Sequence, residues 1–131
     1  MVINAGINDV AQNNHVYVED RTFHNIDLMA QMAAGAGIKV VIASITPCAQ
    51  FSWRKEIPNV VEKIKSLNAR LKAYAEQNGY PYVDYFTAMA DEDGAMNNAY
   101  SEEGCHPNAT GYSVMSTVVQ PVLRKVLLIE H

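Results

Sequence analysis

Two polar segments, one near each end of the chain, carry side chains that could act on a carbonyl group. Gly6-Ile7-Asn8-Asp9 follows a short apolar run, and Glu103-Gly104-Cys105-His106-Pro107-Asn108 precedes a long one. The Asn8 amide could donate a hydrogen bond to a carbonyl oxygen on which negative charge grows. His106 could take a proton from a hydroxyl group if a carboxylate fixes its tautomer, and Glu103 lies three residues earlier. Plainer interpretations stay open: Asn8 can hydrogen-bond its own loop, and His106 can be a surface residue at a helix start.

The elements that position these segments alternate between strand and helix. Apolar, β-branched runs predict strands, and they fall at residues 2–5, 38–43 and 82–85. Apolar residues at helical spacing predict helices over residues 20–36, 59–78 and 109–128, the last kinked or broken at Pro121. Asn59 and Glu62 fit a capping box, and Asn78-Gly79 a left-handed stop. Residues 6–18 and 91–103 are polar and predict loops, the second with a short turn.

This order predicts an α/β fold, a three-layer sandwich with a parallel sheet. The 131 residues suffice for a single domain, 1–131. Ligands of open parallel sheets gather beyond the carboxyl ends of the strands. Residues 6–9, 44–47 and 84–86 arrive there, and residues 103–108 could fold over the same edge. The Trp53-Arg54 pair could line a substrate cleft or pack over its rim.

Composition excludes several classes of function. The net charge is −4, without a Lys/Arg cluster, so no nucleic-acid partner is expected. No run is long enough to span a membrane, and no membrane partner is expected. Cys48 and Cys105 lack metal-ligand spacing and are predicted to be free thiols. His15 and His24 lack ligand partners as well. We therefore expect no metal and no cofactor.

The two polar segments together resemble the third and fifth sequence blocks of the SGNH hydrolase (GDSL-type lipase/esterase) family. The intervening stretch is similar in its order of motifs: Gly37-Ile38-Lys39-Val40-Val41, Pro47, Trp53-Arg54, Tyr82-Val83-Asp84-Tyr85 and Gly111-Tyr112. The resemblance covers nearly the whole chain. It implies the flavodoxin-like SGNH hydrolase fold and ester hydrolysis by serine acyl transfer. The implied substrates are carbohydrate O-acetyl groups or small acyl esters.

The resemblance also implies a role for each residue of the candidate site. Asn8 matches the family's side-chain oxyanion donor, and His106 matches the general base. Glu103 stands where the family usually has aspartate, and its side chain is one methylene longer. No residue is singled out for substrate binding.

The family's nucleophile lies in a Gly-Asp-Ser block that precedes the Gly-x-Asn-Asp block, where this sequence has five residues. None of its serines follows Gly-Asp: Ser44, Ser52, Ser66, Ser101, Ser113 and Ser116. Ser44 is better explained as a turn residue, and Cys105 adjoins His106 too closely to pair with it. We therefore expect this chain to be the C-terminal portion of an SGNH hydrolase domain, with about three strands and without the nucleophile. We expect it to be inactive alone. The sequence leaves the cellular compartment open.

The alternative is a non-catalytic remnant that acts as a dimeric interaction module. The strand of residues 2–5, Val2 to Ala5, would be an uncovered edge with apolar faces. Such an edge invites pairing with another chain. We expect a symmetric homodimer through this strand.

Overall fold

The computed structural model describes residues 1–128. Within them lies one three-stranded sheet in the order β1-β2-β3. The strands are β1 (Val2–Ile3), β2 (Val41–Ala43) and β3 (Tyr82–Val83). Both pairings are parallel, with Val2 opposite Val41 and Ile42 opposite Tyr82. The carboxyl ends of the strands therefore share one edge of the sheet, which we call the carboxyl rim.

Helices connect and cover the strands. They are α1 (Ile7–Val10), α2 (Glu19–Gly35), α3 (Val60–Asn78), α4 (Tyr85–Met89) and α5 (Ala109–Leu128), with a 3-10 helix at Asn98–Tyr100. The segment that contains α2 joins β1 to β2, and the segment that contains α3 joins β2 to β3. Parallel neighbours require crossovers of this length.

The sheet separates two apolar clusters because side chains alternate along a strand. Ile42 of β2 packs in the cluster that contains Ile26 of α2 and Leu67 of α3. Val41 belongs to the opposite cluster, against which the half-buried Val118 of α5 packs. The predicted α/β sandwich with a parallel sheet is confirmed.

Each strand is shorter than its predicted run of residues. The prediction that residues 82–85 form a strand is wrong at its end, because Tyr85 is the first residue of α4. The Asp84 side chain accepts a hydrogen bond from the Thr87 backbone N–H at 3.0 Å, so it caps this helix. The β propensity of Tyr82-Val83-Asp84-Tyr85 is overridden by a cap that an aspartate supplies.

The prediction that residues 6–18 form only a loop is also wrong. Gly6 has φ 121°, and the chain turns there directly into α1. Val10 and Ala11 are completely buried, and Ile7 packs against the same cluster. These three residues form a short helical stripe within an otherwise polar segment.

Of three predicted helix features, two differ from the structure and one is confirmed. Asn59 has a left-handed backbone (φ 56°) and makes no side-chain capping bond, so the predicted capping box does not form. Gly79, with φ 71°, ends α3 as expected. Pro121 does not break α5, which continues as one helix through an exposed proline. Across residues 1–128, no helix combines the length and apolarity needed to cross a membrane.

Candidate active site

Side chains from three distant parts of the chain meet in one cluster. The indole of Trp53 lies against the imidazole of His106, with ring centroids 5.3 Å apart and a tilt of 36°. Its Nε1–H donates to Asn13 Oδ1 at 3.0 Å. Asn13 Nδ2 in turn donates to Asn8 Oδ1 at 3.2 Å. The predicted residues Asn8 and His106 thus belong to one connected group, joined through Trp53 and Asn13.

Glu103 contacts the ring that it was predicted to orient. Its Oε1 lies 3.2 Å from His106 Nδ1. The same oxygen accepts the backbone N–H of Cys105 at 2.8 Å and that of His106. Partial burial opposes ionisation, but these hydrogen bonds outweigh it and lower the pKa of Glu103 below its usual value. An ionised Glu103 favours the tautomer with hydrogen on Nδ1, which leaves Nε2 free to accept a proton.

The loop that carries Glu103 and His106 is tied together by Ser101. The Ser101 Oγ accepts the Gly104 N–H at 2.9 Å and donates to the His106 carbonyl oxygen at 2.7 Å. Ser52, from the segment before Trp53, donates to Glu103 Oε2 at 3.3 Å. The carboxylate is therefore held from its own loop and from a second segment, while the His106 side chain is 70% exposed.

The start of α5 fixes the other side of this loop. Asn108 Oδ1 accepts the Gly111 N–H at 2.9 Å, so the Asn108 side chain caps α5. Gly111 lies so close to the preceding loop that a Cβ there would come within 2.5 Å of the Tyr100 carbonyl oxygen. A glycine is required at this approach, which brings the His106 loop against the helix.

Asn8 is positioned by the turn that follows β1. A Cβ on Gly6 would lie 2.9 Å from Ile45 Cδ1, so the turn is packed closely on the segment after β2. Asp9 accepts a hydrogen bond from the Thr22 hydroxyl at 2.9 Å, and this contact anchors α1 to α2. Asn8 itself is exposed at the carboxyl rim.

The segment after β2 is supported by a residue that sequence reasoning did not single out. Asn68 of α3 accepts the Ile45 N–H at 2.7 Å and donates to the Ile45 carbonyl at 3.1 Å. The signal that could have found it is a polar residue, Asn68, beside Leu67 in the apolar stripe of this helix. Both are buried.

Ser44 and the two cysteines are not disposed as nucleophiles. Ser44 is completely buried, and its Oγ accepts the Phe86 N–H at 2.9 Å, which agrees with a turn role. Cys48 and Cys105 are free thiols, as predicted, and both are buried. A hydrogen bond to Cys48 and burial raise the pKa of the Cys105 thiol, so it stays protonated.

The histidine of the first loop has an acidic neighbour. His15 Nε2 lies 3.9 Å from Asp9 Oδ1. Among the residues that the structure describes, no group of three or more His, Cys, Asp or Glu side chains could hold a metal ion.

Residues 1–114 match the model of the GDSL-like lipase/acylhydrolase family. The fold is similar to that of a GDSL-like lipase from Bacteroides thetaiotaomicron VPI-5482, with a TM-score of 0.93 and 45% identity over 95% of this chain and 62% of that one. A candidate acylhydrolase from Bacteroides fragilis NCTC 9343 has a TM-score of 0.94 and 46% identity over 96% of this chain and 61% of that one.

A more distant member of the lipolytic G-D-S-L family, from Veillonella parvula DSM 2008, shares the fold at 22% identity. Its TM-score is 0.72, over 92% of this chain and 61% of that one. Comparison with curated protein sequences gave no match. The chain spans 62% and 61% of the length of the two Bacteroides relatives. On the family match and these two relatives, the chain belongs to the GDSL-like lipase/acylhydrolase family.

Proposed function

We propose that this chain supplies the general base and the oxyanion donor of a serine esterase that hydrolyses small acyl or carbohydrate O-acetyl esters. The observation that carries the proposal is the 3.2 Å contact between Glu103 Oε1 and His106 Nδ1 within the cluster that includes Asn8. An exposed imidazole with an oriented tautomer is the arrangement that a general base needs.

The proposed chemistry proceeds in two stages. His106 Nε2 takes the proton of a serine hydroxyl while the serine oxygen attacks the acyl carbon of the ester. The Asn8 amide donates to the carbonyl oxygen as it becomes negative. The protonated His106 then gives its proton to the departing alcohol. Water hydrolyses the acyl-serine by the same steps, and the carboxylic acid leaves.

The serine in this scheme comes from a Gly-Asp-Ser block, which this sequence does not contain. The Ser101 hydroxyl is engaged within its own loop, and that of Ser44 accepts a backbone N–H. We therefore expect the 131-residue chain alone to show only background turnover.

An exposed aromatic side chain beside His106 supports the proposed substrate class. Trp53 is 43% exposed and presents an aromatic face next to His106. Such a face suits a sugar ring or a short acyl chain, because both offer apolar C–H surface. This leaves room for an ester attached to a larger carbohydrate.

The test is hydrolysis of p-nitrophenyl acetate by a chimera. The part of the Bacteroides thetaiotaomicron protein that precedes the region matched by this chain would be fused before Met1. We expect turnover that His106→Ala abolishes and that Asn8→Ala lowers by about 100- to 1000-fold. His24→Ala and Asn14→Ala, two exposed positions, are the matched controls.

Two outcomes would contradict the proposal. One is a folded chimera in which His106→Ala and His24→Ala have equal rates. The other is turnover by the 131-residue chain that exceeds the uncatalysed background and persists at an unchanged rate after His106→Ala, which would assign the activity to another group.

A second candidate function is a homodimeric interaction module. Within residues 1–128, β1 pairs with β2 alone, and Val2 is 36% exposed. The neighbouring helix α2 adds exposed apolar side chains at Leu28, Met29 and Met32. We propose that a second copy pairs with residues 2–5 across a two-fold axis.

Sedimentation at micromolar concentration tests this association. The expected mass is twice 14.5 kDa, and Val2→Lys should lower it to that of one chain, because charge on an edge strand opposes pairing. Val16→Lys, at a loop position that is 71% exposed, is the control. A monodisperse monomer for the unmodified chain would rule the dimer out.

A further inference from the structure

We propose that Trp53 and Asn13 are positioning residues that fix the orientation of the Asn8 amide, so that its N–H groups face the substrate. This inference rests on the proposed function for its catalytic meaning. The hydrogen-bond relay on which it depends can be tested without catalysis. Neither Trp53 nor Asn13 has to touch the reacting atoms.

The relay is the chain of hydrogen bonds from Trp53 through Asn13 to Asn8. Its direction follows from the one group in it that can only donate. An indole Nε1–H only donates, so Asn13 must present its oxygen to Trp53. The Asn13 amide then has its nitrogen for Asn8, at 3.2 Å, and Asn8 must present its oxygen in turn. Two asparagine amides, whose orientations are otherwise interchangeable, are thereby both assigned.

The consequence for Asn8 is that its carbonyl oxygen is engaged and its Nδ2 is not. Among the described residues, no acceptor is hydrogen-bonded to Asn8 Nδ2. The reversed amide would direct an oxygen toward the developing oxyanion and repel it. An oxyanion donor therefore needs this orientation before the substrate arrives.

Trp53 itself is held by packing rather than by the relay. Its ring lies 5.2 Å from that of Phe51, which is completely buried. The same indole lies against His106. The Trp53 ring thus packs against the proposed general base, His106. Its N–H orients the proposed oxyanion donor, Asn8, through Asn13.

The experiment is nuclear magnetic resonance on the 131-residue chain. The Asn8 side-chain carbonyl ¹³C shift reports whether its oxygen accepts a hydrogen bond, and the Trp53 indole N–H exchange rate reports the first bond of the relay. Trp53→Phe keeps an aromatic ring and removes the donor. We expect it to change the Asn8 carbonyl shift, although Asn13 lies between the two residues.

The decisive comparison is a double substitution. In an Asn13→Ala background, Trp53→Phe should leave the Asn8 shift unchanged, because the side chain that links Trp53 to Asn8 is absent. Asn13→Ala alone should accelerate Trp53 indole exchange by roughly 2- to 12-fold, because one hydrogen bond favours the bonded, protected state by about that factor. This single variant tests the relay even if Trp53→Phe fails to fold. Asn14→Ala, the neighbouring exposed asparagine, should change neither signal.

An Asn8 shift that is unchanged by Trp53→Phe would overturn the proposal. So would an equal change with and without Asn13, since that would indicate a general disturbance of the loop. His106→Ala tests the proposed function and should leave the Asn8 shift in place. Failure of the esterase proposal and failure of the relay therefore give different results.

Discussion

Replacement of Asn68 by alanine should destabilise the protein measurably without touching the candidate site. The Asn68 side chain is 8% exposed and serves both backbone groups of Ile45, at 2.7 and 3.1 Å. Alanine leaves a donor and an acceptor without their partner, and each such loss costs about 1–3 kcal/mol when the group is buried. Asn68 also lines an open cleft of about 250 Å³, from which water can reach part of the space. The two losses together would cost about 2–6 kcal/mol, and the lower half of that range applies, about 2–4 kcal/mol.

Urea unfolding followed by circular dichroism measures this loss. For a slope of about 2 kcal/mol per molar, the midpoint should fall by roughly 1–2 M. Ser66→Ala is the matched control, because Ser66 is exposed on the same helix and its loss should change stability by less than about 0.5 kcal/mol. If Asn68→Ala and Ser66→Ala unfold at the same urea concentration, the two hydrogen bonds do not support the segment after β2.

Three further substitutions are each expected to lower the stability of the fold. Gly6→Ala should lower the free energy of unfolding by about 1–3 kcal/mol in urea, because φ is 121° and the added Cβ would lie 2.9 Å from Ile45; equal stability would show that the turn relaxes freely. Gly111→Ala should lower the melting temperature, since its Cβ would come within 2.5 Å of the Tyr100 carbonyl oxygen; no change would refute the close approach. The lowered pKa of Glu103 means that its charged form stabilises the fold above about pH 4.3, the unfolded value, and that this contribution is lost as pH falls through the lower folded value. Glu103→Gln should therefore be less stable than the native chain at pH 6, with the difference narrowing below pH 4; a constant difference across pH 3–6 would contradict this.

Long periodic elements were predictable from sequence, and short capped ones were not. The α3 helix has a five-turn apolar stripe and a glycine stop, and both signals are local. The four-residue α1 has only Ile7, Val10 and Ala11 to indicate it, and polar neighbours obscure them. Asn59 was expected to cap α3, but its left-handed backbone rules out that role, and backbone angles of this kind are set by the preceding turn.

In the candidate site, too, contacts between residues close in sequence were predictable and contacts between distant residues were not. Glu103 and His106 lie three residues apart, so a single turn suffices to bring them together, and sequence spacing predicts it. Asn13 and Trp53 are 40 residues apart, and their contact depends on how two loops fold over the carboxyl rim. The indole was predicted only to line a cleft or pack over its rim, since no local pattern indicates which distant amide it meets.

Trp53 is the single tryptophan of the chain, and its position has a consequence for folding measurements. Each strand pairs with a partner about 40 residues away, so the carboxyl rim forms only after two long loops have closed. Closure of such loops is slow relative to helix formation. We therefore expect the intrinsic fluorescence of this one indole to report the late assembly of the carboxyl rim, separately from the helical signal in circular dichroism and without an added label.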